Sequence, residues 1–157
     1  MVAVPYILGN SYLDANFAAL SAGEAGWFDV FVYGATGNGT TDDTAAIQAT
    51  YAAAVAYASS YGGATIFFPD GTYLISDEIV ISAQNITVRG AGFRTVILKQ
   101  SNTAKNVLRN AANNNSYFDL TLTYSTQGAA GTSGFISKGT SGASNAQVFN
   151  TVGNNIA

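Results

Sequence analysis

The chain contains no cysteine and no histidine. Their absence excludes a disulfide framework, Cys/His zinc sites, a cysteine nucleophile and any Ser-His-Asp triad within these 157 residues. Charge is scarce as well. Asp, Glu, Lys and Arg make up 10% of the chain, against about 25% in an average domain. Six Lys+Arg against nine Asp+Glu leave a net charge of −3. Summed over the chain, that gives no basic surface to follow a phosphate backbone, and nucleic acid is not expected as a partner. The opening Met1-Val-Ala-Val-Pro5 lacks a basic segment followed by a long apolar run, so no signal peptide is expected. The longest apolar stretch near a helix, 51–58, falls far short of a bilayer span, so no membrane insertion is expected and the protein reads as soluble. Any exterior location would be reached by another route, such as assembly into a larger particle.

What is present is apolar: 48% of residues are hydrophobic, enough for one real core with a small appendage. Three compositional zones follow one another. Residues 1–26 are Ala-rich. In them Ser11 stands three residues before Asp14 in capping-box spacing, and Leu13, Phe17 and Leu20 recur on one face of a short helix. A one-sided helix of three turns is not stable alone and must dock on something. Residues 27–99 alternate turn chemistry with short apolar runs, and 100–157 are rich in Asn, Ser, Thr and Gly.

A second helix is expected over about 42–60. Thr41, Asp42 and Asp43 supply its start. Ile47, Tyr51, Ala54, Val55 and Ala58 form its apolar stripe, and Tyr61-Gly62-Gly63 stops it. Strands are then expected at 64–68, 73–76, 78–82, 85–89, 95–99, 107–108, 118–124, 135–136 and 148–149, separated by Gly, Asn, Asp and Ser. A sandwich prefers longer strands with hairpin signals, and Asn38-Gly39 here precedes a helix. Very short strands with polar corners suit a parallel β-helix, in which each coil stacks on the one below. The helix at 42–60 would cover the open apolar end of the first coil, with Asp42, Asp43, Ile47, Tyr51 and Val55 as the capping residues.

These residues carry a family resemblance. Asp29-Val-Phe-Val-Tyr-Gly34-Ala-Thr-Gly37-Asn-Gly39-Thr-Thr-Asp42-Asp43-Thr44-Ala-Ala-Ile47-Gln48 resembles the opening motif of the pectate-lyase-like superfamily. Gly62-Gly63-Ala-Thr-Ile-Phe-Phe-Pro69-Asp-Gly71-Thr72-Tyr73 and Val88-Arg89-Gly90-Ala-Gly92 resemble its next two motifs. The resemblance implies an all-β solenoid, a right-handed parallel β-helix. One departure is Asn38, where the family often has Asp, a change of turn chemistry. Leu13-Asp-Ala-Asn-Phe17-Ala-Ala-Leu20 resembles the start of phage tail-fibre and tailspike proteins. Together the two resemblances imply a virion structural protein. Residues 1–26 would attach to the tail or head through Leu13, Phe17 and Leu20, and residues 27–157 would open a β-helix shaft that continues past Ala157. They also imply a homotrimer and a host-surface polysaccharide as partners. The rivals are a polysaccharide lyase or glycosidase whose catalytic residues lie mostly beyond this chain, and a bare carbohydrate-binding module.

No catalytic, cofactor or metal residue is assigned. Asp42 and Asp43 read as helix-start carboxylates, and Asp77 and Glu78 as solvated charges on opposite faces of a strand. A glycosidase pair would need Asp119 to meet Asp77 or Glu78 from a neighbouring coil, which is left open. Arg89 and Arg94 read as structural, although an Arg can serve as base in a lyase. Gly34, Gly37, Gly39, Gly90 and Gly92 read as turns needing positive φ rather than phosphate loops. Asn113-Asn-Asn115 suits a coil corner, and Trp27, Phe28 and Tyr33 suit packing.

Overall fold

A computed structural model describes residues 26–137, 147–149 and 152–153. The short helix expected around Leu13, Phe17 and Leu20 lies outside them. Among the described residues thirteen short strands form three sheets in which every pairing is parallel. The chain visits the sheets in turn. β1 (Trp27–Asp29) enters sheet A, β2 (Asn38–Asp42) enters sheet B, and helix α1 (Thr44–Tyr61) completes the first coil. The second coil is β3 (Ala64–Phe68), β4 (Gly71–Ile75) and β5 (Ile79–Ile81), the last opening sheet C. The third is β6 (Ile86–Gly90), β7 (Val96–Gln100) and β8 (Leu108–Asn110). The fourth is β9 (Ser116–Phe118), β10 (Thr121–Tyr124) and β11 (Phe135–Ser137), followed by β12 (Gln147–Phe149) and β13 (Val152–Gly153). This is a parallel β-helix.

Register stacks like on like. Phe28, Ile66, Val88 and Tyr117 lie in one inward column of sheet A. Tyr73, Leu98 and Leu122 form another in sheet B, and Ile79, Leu108 and Phe135 a third in sheet C. All but Phe135 are buried. Full burial of one such side chain contributes about 1.5–3 kcal/mol, so the core is a sum of short, repeated contributions along the axis.

Corners turn on residues that accept left-handed backbone. Asn85 (φ 61) and Asn114 (φ 58) precede β6 and β9, and Asp119 (φ 55) separates β9 from β10. The 118–124 run, expected as one strand, is therefore two strands on two sheets. Gly34, Gly37 and Gly39 have positive φ as expected, but Gly90 and Gly92 do not. Gly90 is needed for space instead, because the carbonyl oxygen of Asp119 in the next coil occupies the place a Cβ would take.

α1 stands in the chain where each later coil has its sheet C strand, and it packs against β1, β3, β5 and β6. Ile47 is buried and, with half-buried Tyr51, lines the core beside Ile66, Phe68, Ile79 and Ile81; Val55 is half-buried. Gly62 ends the helix in a left-handed turn (φ 91), its N–H donating to Ala58 O at 2.8 Å. The Tyr51 hydroxyl accepts the backbone N–H of Ser82 and of Ala83, each at 2.8 Å, and so ties α1 to the corner after β5. Tyr51→Phe should cost about 2 kcal/mol, since both donors lose their acceptor at the helix interface. Urea unfolding monitored by circular dichroism measures it.

The start of α1 corrects the expected cap. Asp43 is the residue at the cap position, but its carboxylate makes no hydrogen bond to the helix. It points back to the preceding turn, where Oδ1 accepts Thr36 N at 2.7 Å and Thr36 Oγ1 at 3.0 Å and Oδ2 accepts Gly37 N at 3.1 Å. Asp42 takes the helix-start role, accepting Thr44 N at 3.0 Å and the hydroxyls of Thr44 and Ser76. Burial works to raise its pKa, but the hydrogen bonds from Ser76 and Thr44 outweigh that and hold the carboxyl below its ordinary range. Asn38 holds the turn before the helix: its side-chain oxygen accepts Thr40 N at 2.9 Å and Thr41 N at 2.8 Å.

Candidate functional site

Successive strand residues alternate between core and surface, so each strand of sheet A presents an outer set of side chains. In register, Asp29, Phe67, Arg89 and Phe118 form one outer column. Phe67 and Phe118 are half-buried and Arg89 between them is exposed. Trp27, 39% exposed, packs its ring 5.1 Å from that of Phe67. Around the corner Arg94 lies over the ring of Phe93 at 5.3 Å, a cation–π contact. On β7, Lys99 sits in register between Leu74 and Thr123.

The charges are sorted along the axis. Of the six basic residues in the chain, Arg89, Arg94, Lys99, Lys105 and Arg109 all fall on the third coil, and Lys138 lies outside the described residues. The described acids fall on the first two coils, apart from Asp119 on the fourth. Two of the bases reach down to acids of the second coil. Lys105 Nζ meets Asp77 Oδ1 at 3.1 Å, and Arg109 Nε meets Glu78 Oε2 at 2.7 Å. The Glu78 side chain is 13% exposed and also accepts from Asn106 Nδ2. It is a half-buried tie between coils, where the sequence suggested a solvated charge. Asp77 remains exposed. A backbone hydrogen bond from Glu78 and the Lys105 ammonium lower its pKa.

Arg89, Arg94 and Lys99 make no ion pair among the described residues. They lie on a chain that is acidic overall, with Asp70 and Asp119 one coil below and one coil above Arg94 at the corner between sheets A and B. The whole-chain sum conceals this. The signal was in the order of the bases along the sequence, because sequence position in a solenoid is axial position.

The acid pair left open by the sequence is not assembled. Asp119 lies at the corner between sheets A and B, whereas Asp77 and Glu78 lie at the corner between B and C. Asn115 belongs to a buried network. Its side-chain oxygen accepts Ile86 N at 2.8 Å, and its amide donates to Asn110 Oδ1 at 2.8 Å and Ala83 O at 3.0 Å. Phe28 packs against Tyr33 and Tyr57, as expected of an anchor. Among the described residues no three His, Cys, Asp or Glu side chains are grouped to hold a metal, and no helix is long and apolar enough to cross a membrane.

Residues 27–154 match the family described as rhamnogalacturonase A/epimerase, pectate lyase-like. The chain belongs to the pectate-lyase-like family. Among curated relatives, Alginate lyase 7 of Azotobacter vinelandii is 37% identical over 78 residues, 46% of this chain and 9% of that protein. Mannuronan C5-epimerase AlgE3 of the same organism is 37% identical over 78 residues, 46% of this chain and 4% of its own length. This pectate-lyase-like chain thus spans less than a tenth of those relatives. Among solved structures, the A-module of Azotobacter vinelandii mannuronan C-5 epimerase AlgE6 superposes with a TM-score of 0.60 at 25% identity, covering 80% of this chain and 37% of the module. ORF18 of Geobacillus virus E2, a phage protein, superposes with a TM-score of 0.56 at 20% identity, covering 75% of this chain and 29% of the other.

Proposed function

We propose that this chain is the attachment region and shaft opening of a phage tailspike or fibre, and that its third coil receives an acidic host-surface polysaccharide. The observation that carries the reading is the gathering of Arg89, Arg94 and Lys99, without ion pairs among the described residues, on one coil of a pectate-lyase-like solenoid. The phage neighbour and the polysaccharide-acting relatives support it. In this reading α1 closes the first coil, residues 1–26 dock on the tail or head of the virion, and three copies assemble.

Binding of polymannuronate to the purified chain should fall about tenfold in the Arg89→Ala/Lys99→Ala variant, and both proteins should weaken with rising salt, the wild type more steeply. Isothermal titration over a salt series measures this. Equal affinities in the two proteins at low salt would remove the polysaccharide half of the reading. The docking half has its own test. Replacing Leu13, Phe17 and Leu20 by Ser should leave the shaft folded and abolish incorporation into particles, scored by sedimentation with virions. Retained incorporation would refute it.

The second reading is an enzyme, favoured by the names of the relatives, a lyase and epimerases. It predicts release of unsaturated uronides, visible by ultraviolet absorbance, or a change of uronate configuration, visible by proton NMR. The attachment reading predicts binding without either.

A further inference from the structure

At the end of α1, beside the outer face of sheet A, lies an open cleft of about 380 Å³. Tyr57 and Tyr61 form one wall, and Thr65, Thr87 and Asn85 contribute to the other. We propose that this cleft binds a neutral pyranose unit of a glycan, at a site whose stacking wall is on α1 and whose Thr87 edge adjoins Arg89 of the third coil.

The wall is a built platform. Tyr57 is held edge-on by the ring of Phe28, with centroids 5.7 Å apart, and Gly26 leaves it room. Tyr61 stacks on Tyr57 with centroids 4.3 Å apart and is itself 73% exposed, the most exposed large apolar side chain of the described residues. A tyrosine face fixed against a second ring offers an amphipathic surface at low entropic cost, which suits the C–H face of a sugar ring. Opposite it, Thr65 and Thr87 are in register on neighbouring strands and set two hydroxyls about 4.8 Å apart along the axis. Trp27 precedes them in the same outer column and Ser116 follows.

The polar groups are uncommitted. Some corner side chains elsewhere are tied into the protein: Asn38, Asn102, Asn106 and Asn115 hold backbone partners, whereas Asn113 Oδ1 has none among the described residues. Around the cleft, the side chains of Asn85, Thr65 and Thr87 and the hydroxyls of Tyr57 and Tyr61 make no hydrogen bond among the described residues. Two stacked rings and five unused hydrogen-bonding groups around a cavity of ligand size form a binding constellation. The lining contains no charged side chain, and no Lys or Arg precedes Arg89 in the chain. Nothing there recognises a carboxylate or phosphate, so the ligand is a neutral, hydroxyl-bearing ring.

The test uses the full chain with two neutral probes, β-1,4-linked hexamers of glucose and of N-acetylglucosamine, and hexamannuronate as an acidic probe. In two-dimensional NMR titrations, a neutral hexamer should shift the amides of Gly63, Thr65 and Thr87. Tyr61→Ala should weaken that binding about tenfold with an unchanged melting temperature, and Tyr61→Phe should lose less. Hexamannuronate should leave the Gly63 amide unmoved, and the Arg89→Ala/Lys99→Ala variant should bind the neutral hexamer as the wild type does, so that failure at one site is distinguished from failure at the other. The proposal is overturned if neither neutral hexamer moves the three amides or if Tyr61→Ala binds as tightly as wild type.

Discussion

Gly90→Ala should destabilise the protein by more than about 3 kcal/mol, although it adds a single methyl group. Gly90 ends β6 in register with Phe68 and is buried. The new Cβ would overlap the Asp119 carbonyl oxygen, and it would lie 3.0 Å from Val96 Cβ and 3.1 Å from Leu120 Cδ2. The chief obstacle is backbone, which no rotamer change relieves. The neighbouring Ala91 N–H is fixed to Phe68 O at 2.9 Å, so β6 has little freedom to retreat. The companion substitution Gly92→Ala makes the mechanism specific. Its Cβ would meet Thr95 Oγ1 at 2.7 Å, a hydroxyl on a rotatable side chain, and the loss should stay within about 1 kcal/mol. Urea midpoints at unchanged slope measure both. Equal losses for the two variants would show that coil-to-coil closeness at Gly90 is not what matters.

Asp43→Ala should cost about 3 kcal/mol, and more than Asp42→Ala. Asp43 is 1% exposed. Its carboxylate satisfies the N–H groups of Thr36 and Gly37, and its own backbone N–H donates to Leu74 O at 2.8 Å while its carbonyl accepts from Ile47 N at 3.0 Å. One residue thus joins the 34–37 turn, β4 and the first turn of α1. Truncation strands donors away from water and leaves a hole, and each unsatisfied donor costs about 1–3 kcal/mol. Asp43→Asn keeps one carbonyl oxygen and should fall between the two. Asp42 is exposed, so water replaces its partners and the loss should be about 1 kcal/mol. Hydrogen exchange should locate the Asp43→Ala defect at Thr36, Gly37 and the start of α1. Protection unchanged at Thr36 and Gly37 would contradict this account.

Much of the solenoid was legible because its signals are local. The run Ala64-Thr-Ile-Phe-Phe68 alternates inward and outward residues, and so does Ile86-Thr-Val-Arg-Gly90. The stripe Ile47, Tyr51, Ala54 and the stop at Gly62 placed α1 to within two residues. What was not legible depends on neighbours. β2 is Asn-Gly-Thr-Thr-Asp, mostly exposed, and reads as a turn. Its extended form comes from pairing with β4, where the register is irregular. Phe118 to Tyr124 carries an apolar residue at every second position, and only the tolerance of Asp119 for positive φ marks the corner. At the candidate site, Arg89 between Phe67 and Phe118 is visible only once register is known. The two tyrosines of the cleft were hidden differently: Tyr57 lies in α1 outside the expected apolar stripe, and Tyr61 belongs to the stop signal, a role that does not suggest an exposed ring.

The placement of α1 has a consequence for how the molecule comes into being. Parallel pairing cannot be closed by a local hairpin, and each coil needs a preformed edge on which to align. The first coil and α1 are made first during synthesis, and the edges of β3, β4 and β5 are then available before β6 emerges from the ribosome. Growth from such a seed is vectorial: each new turn of chain is templated by the previous one, and a register error in an early rung would be inherited by every rung laid on it.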